Sequence, residues 1–99
     1  MKDLLYVMLL EKTATYKKMN KVAVIRHVDN IRKLDDDGQL ELAGVLRKCP
    51  GFAGIIILKA DSYEEAEKLC KREPLIVDGY ATYKLMSLQV GNRENNYLL

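Results

Sequence analysis

Two short, unbroken apolar runs constrain this chain more than any other feature: Leu4-Leu5-Tyr6-Val7-Met8-Leu9-Leu10 and Phe52-Ala53-Gly54-Ile55-Ile56-Ile57-Leu58. Both are too short for membrane helices, and neither has the polar gaps of an amphipathic helix. They read as strands buried on both faces. The chain has 99 residues, 48% hydrophobic and 30% charged, which suits one domain over 1–99 with its core at about 4–90. A formal charge of +2 is too small to imply nucleic acid or an anionic membrane. The first run stops at Glu11-Lys12 with no small-residue cleavage site after it, so the expected location is the cytoplasm, without a membrane span or signal peptide.

The rest of the chain punctuates itself. Residues 11–19 are polar, and we expect a mobile loop without apolar anchors. A helix is expected from about Asn20 to Asp36 or Asp37, with Ala23, Val24, Ile25, Val28, Ile31 and Leu34 in one sector and Gly38 at its C-terminal end. Gln39-Leu40-Glu41-Leu42 alternates like a half-exposed strand, and Lys48-Cys49-Pro50-Gly51 is turn chemistry. Ser62-Tyr63-Glu64-Glu65 opens a second helix, with Tyr63, Ala66, Leu69 and Cys70 on one face, which should end before Pro74. Gly79 precedes an extended segment over 80–90, and residues 91–99 read as a loosely held tail.

The order β-α-β-β-α-β is that of an α+β ferredoxin-like fold: a four-stranded antiparallel sheet with two helices on one face. The apolar strands belong at its centre and the alternating strand at an edge. Helices on one face leave the other bare. A second copy of the chain is its expected cover, giving a homodimer through the sheet face.

The segment His27…Asp36-Asp37-Gly38-Gln39-Leu40…Ala43-Gly44 resembles the YCII-related family, in which a helix-borne His precedes an acidic pair, a Gly and a strand ending in Ala-Gly-Pro. The resemblance continues through Gly51-Phe52-Ala53-Gly54, Ser62-Tyr63-Glu64-Glu65-Ala66, Glu73-Pro74 and Gly79, covering about residues 4–90. This chain departs from the pattern with Val45 for the family's Pro, Glu73-Pro74 for its Asp-Pro and Leu75 for a bulky aromatic. The resemblance implies a dimeric ferredoxin-like barrel close to the muconolactone isomerase-like proteins. It also implies an active site of a His and an acidic residue, and cofactor-free chemistry on ring compounds, such as dehydrochlorination of a chlorinated hydroxyquinol.

The candidate catalytic residues are His27, Glu73 and Asp36. His27 lies in the apolar sector of the first helix and should face the sheet. There it is either a core histidine bonded to backbone or water, or an acid–base group whose tautomer a carboxylate fixes. Glu73 would share the arc of Ala66, Leu69 and Cys70 if the second helix reached it. If the helix unwinds before Pro74, Glu73 sits in solvent instead. Asp36, at an acidic position of the family pattern, is the second choice of partner.

Other chemistries find less support. Asp35-Asp36-Asp37 fits no EF-hand spacing, since Lys33 and Gly44 stand where that loop's first and last carboxylates belong. Cys49 and Cys70, with His27 as the one histidine, cannot assemble a zinc site and read as free thiols, so no metal or cofactor is expected. The element order also matches an RNA-recognition module. Pro50, Gly54 and Ile57, however, replace its basic and stacking residues, so no nucleic acid is expected. Tyr6, Tyr80 and Tyr83 read as pocket lining or as packing. Two functions remain: a cofactor-free isomerase or lyase using His27 and a carboxylate on a small cyclic or enol-type acid, and a non-catalytic dimeric module for ligand binding or protein interaction.

Overall fold

The computed structural model describes residues 4–99. Its four strands are β1 (Leu4–Lys12), β2 (Leu40–Val45), β3 (Phe52–Leu58) and β4 (Ala81–Gln89), in one antiparallel sheet of order β2-β3-β1-β4. Helices α1 (Lys21–Asp36), α2 (Tyr63–Arg72) and α3 (Pro74–Val77) complete a ferredoxin-like α+β fold, with the helices on one face of the sheet. The two apolar runs are the central strands β1 and β3, and alternating β2 is an edge.

The runs are apolar throughout, yet burial within them alternates. Tyr6, Met8, Leu10, Ile56 and Leu58 are buried against the helices, where they meet Leu34, Ala66, Leu69, Cys70 and Leu75. Their neighbours Leu5, Val7, Leu9, Ile55 and Ile57 are half-buried on the uncovered face. Register sets Leu42 beside Ile57, Ile57 beside Val7 and Val7 beside Met86, an apolar row across all four strands. Leu42 and Met86, at the ends of that row, are exposed.

Local chemistry sets the helix ends. The Asn20 side chain accepts from the Ala23 N–H at 2.9 Å to start α1, and Gly38 takes the left-handed φ of +73° after its end. The Ser62 hydroxyl accepts from the Glu65 N–H at 3.1 Å to start α2. The buried face of α1 is narrower than the apolar sector predicts. Ala23 and Leu34 are buried, His27, Asn30 and Ile31 partly so, and Val24, Ile25 and Val28 stay exposed. A helix lying on a sheet covers one stripe, and this stripe runs through His27 and not through the valines on either side of it.

Residues 11–19 depart from the expected anchorless loop. Glu11 and Lys12 extend β1, and Tyr16 and Met19, around the 3-10 turn Tyr16–Lys18, pack against the core. The Thr13 hydroxyl bonds to the Gly79 and Tyr80 carbonyls at 2.7 and 2.9 Å, tying the segment to the start of β4. The tail folds on itself: Asn92 and Asn95 exchange side-chain-to-backbone bonds of 2.9 and 3.1 Å, and the Asn95 amide donates to the Val90 carbonyl.

Candidate functional site

Pro74 decides where Glu73 points. A proline ring crowds the backbone before it and disfavours the helical conformation there. Glu73 accordingly sits at φ −63°, ψ 124°, ending α2 and capping α3. The helix does unwind before Pro74, but the glutamate does not go to solvent: it is 1% exposed. Its Oε2 accepts from the Leu75 N–H at 2.6 Å, and its Oε1 pairs with Nδ1 of His27 on α1.

This contact fixes the imidazole. With Nδ1 donating to a carboxylate, the lone pair of the neutral ring is on Nε2, which bonds to no group among the described residues. The His27 side chain is 26% exposed and lines a pocket of about 330 Å³ between the sheet edge and the helices. Tyr16 and Met19 line the pocket together with Ile31 of α1, Leu75 of α3, Gly44 of β2 and Ile56 of β3. Among the described residues, no Lys, Arg, Asp or Glu side chain lines it. In its lining, a Cβ on Gly54 would fall 2.4 Å from the Gly44 carbonyl oxygen, so β2 and β3 meet there through main chain that admits no side chain at position 54.

Asp36 is elsewhere. It is exposed in the last turn of α1, nine residues beyond His27 and so roughly 13 Å along the helix axis. Asp35 and Asp37 are exposed too, with Asp37 bonded to Lys33 at 3.1 Å, and no group of three or more His, Cys, Asp and Glu side chains among the described residues could hold a metal. Of the three candidate residues, the fold brings together His27 and Glu73 and leaves Asp36 apart.

The thiols are free and lie outside the pocket; Cys49 is exposed, while burial, reinforced by Glu67, pushes the Cys70 thiol up to about 12. Tyr83, raised first by burial and then by Cys70, also lies outside it, and Tyr6 packs edge-on against Tyr63 at 6.3 Å. The tyrosine of the site is Tyr16. Its signal is its spacing of three from Met19, the one apolar pair in an otherwise polar segment. α3 also went unread, although Pro at a first helical position and Gly79 just beyond are recognised helix boundaries.

No protein-family model matches this chain, and no curated protein does. Among solved structures it is similar to the 5-chloro-2-hydroxyhydroquinone dehydrochlorinase from Burkholderia phenoliruptrix AC1100, in complex with 2,5-dihydroxybenzoquinone. The TM-score is 0.62 at 11% identity, over 93% of this chain and 98% of that one. At that identity the likeness establishes the fold. No helix among the described residues is long and apolar enough to cross a membrane.

Proposed function

We propose that this chain is a YCII-like cytoplasmic enzyme, a cofactor-free isomerase or lyase acting on a small cyclic or enol-type acid. The observation that carries this reading is the His27–Glu73 contact at the wall of an apolar pocket, with Nε2 left unbonded. In this reading Nε2 takes a proton from the substrate, and the carboxylate of Glu73 stabilises the imidazolium that forms. The electron pair released either relocates a double bond, with the proton returned to another carbon, or expels a leaving group on the neighbouring carbon. Asp36 takes no part. The dehydrochlorinase of similar fold supports the lyase branch, since loss of hydrogen chloride from a hydroxylated ring calls for a base beside that ring.

The reading includes one domain over 1–99 and a homodimer through the sheet face, supported by the row Leu42, Ile57, Val7, Met86. Turnover of unsaturated lactones and chlorinated hydroquinones, followed by absorbance, tests it. His27→Gln should lower the rate by about 10²–10⁴-fold while circular dichroism stays unchanged. Equal turnover by wild type and His27→Gln rejects the acid–base role. Binding without any turnover identifies the non-catalytic module instead.

A further inference from the structure

Among the described residues, the lining of the pocket beside His27 carries two hydrogen-bonding side chains and no Lys, Arg, Asp or Glu. One group is Nε2 of His27, and the other is the Tyr16 hydroxyl, which bonds to no group among the described residues. The cations nearest in the chain lie outside the lining: Lys17 and Lys18 follow Tyr16 on its turn and are exposed. Arg26 pairs with Asp78 at the C-terminal end of α3, and Lys12 holds its Nζ over the Tyr16 ring, 5.1 Å from the centroid and outside the lining.

An anion entering here would leave water for an apolar wall, with the Glu73 carboxylate behind the imidazole and no cation among the described residues in the lining. A neutral ligand carries no such cost, and handing a proton to His27 leaves the total charge of the site unchanged. A volume of about 330 Å³ is at the small end of ligand sites and suits one substituted ring. Tyr16 does not have to be ordered on binding, because Thr13 and Thr15 both bond to the Gly79 carbonyl and hold the turn that carries it.

We propose that this pocket selects uncharged ligands of single-ring size, and that the Tyr16 hydroxyl makes the hydrogen bond that turns their polar edge toward His27. The proposal deepens the acid–base reading and rests on it for the role of Nε2. It limits the acids that can be substrates to those whose acidic group is still protonated on entry, an enol or ring hydroxyl and not a carboxylate.

Titration at about pH 7.5 of p-cresol (neutral), toluene (neutral, no hydrogen-bonding group) and benzoate (anionic) tests this, with NMR of the His27 and Tyr16 rings as readout. Benzoate should bind at least about tenfold more weakly than p-cresol, since one stranded charge outweighs the 1.4 kcal/mol that a factor of ten requires. Tyr16→Phe should weaken p-cresol by about 3- to 10-fold, the worth of a neutral hydrogen bond, and leave toluene unchanged. Benzoate matching p-cresol overturns the proposal, and if its affinity vanishes in Lys12→Gln, the anchor is Lys12. An unchanged p-cresol affinity in Tyr16→Phe, or no binding of any of the three, overturns it as well. Selective p-cresol binding in a protein whose turnover survives His27→Gln would instead sink the acid–base reading and leave the selectivity standing.

Discussion

Arg26 and His27 are consecutive on α1, and each holds an opposite end of α3: His27 pairs with Glu73, its N-cap, and Arg26 with Asp78, its C-cap. The two contacts differ in environment. Arg26 and Asp78 are 49% and 31% exposed, while Glu73 is almost wholly buried. Urea unfolding should therefore separate them. Arg26→Ala should cost about 0.5 kcal/mol or less. His27→Ala, which strands a buried carboxylate, should cost about 3 kcal/mol, with much of it recovered in His27→Gln. Equal losses in the two alanine variants would show that burial does not set the difference.

Gly54 and Gly44 should respond oppositely to alanine. A Cβ at position 54 meets the Gly44 carbonyl oxygen at 2.4 Å, whereas one at position 44 meets nothing within 4 Å. Gly54→Ala should destabilise by about 1–3 kcal/mol or more, because backbone and not a flexible side chain has to move. Gly44→Ala should stay within about 1 kcal/mol. Thermal melts of both variants decide the matter.

The Cys70 thiol, at about 12 in the folded protein, ionises above the 8.5 or so typical of an unfolded chain. Between those values the folded state keeps a proton that the unfolded state has released. The contribution of Cys70 is thus complete below about pH 8.5 and is lost as the pH climbs toward 12. Denaturant midpoints should fall over that range, and the fall should be smaller in Cys70→Ala. At neutral pH, iodoacetamide should label exposed Cys49 and spare Cys70 until the protein unfolds.

The uncovered sheet face predicts a dimer at micromolar concentration, read by light scattering. Leu42→Glu and Met86→Lys alter side chains exposed at the ends of the apolar row, so each should give a folded monomer. A monomeric wild type would reject the homodimer.

Much of this fold is legible in residue order. The two apolar runs fix β1 and β3 at the centre, Asn20 and Gly38 bracket α1, and Ser62 starts α2. Asp36 could have been set aside by arithmetic alone. Nine residues at 100° each bring it to the side of α1 opposite His27, where no sheet-facing histidine can reach it. The partnership with Glu73 was harder to read, because it depends on Pro74 breaking the helical path and turning the side chain inward. Periodicity describes residues inside an element, and Glu73 lies between two. Tyr16 is obscured for a related reason: the carbonyls of Gly79 and Tyr80, which accept from Thr13 and Thr15 and so hold its turn, lie more than sixty residues away in sequence.

The close approach of Gly54 to Gly44 has a consequence for how this protein can change. A wall made of side chains can be recut one substitution at a time, but at Gly54 the wall of this pocket is polypeptide against polypeptide. That stretch is closed to point mutation, since any side chain at position 54 meets the Gly44 carbonyl. A descendant that took larger ligands would have to trim side chains elsewhere in the lining, such as Tyr16, Ile31 or Ile56. Innovation in ligand size would then fall on those side chains while the glycine contact between the two strands stayed as it is.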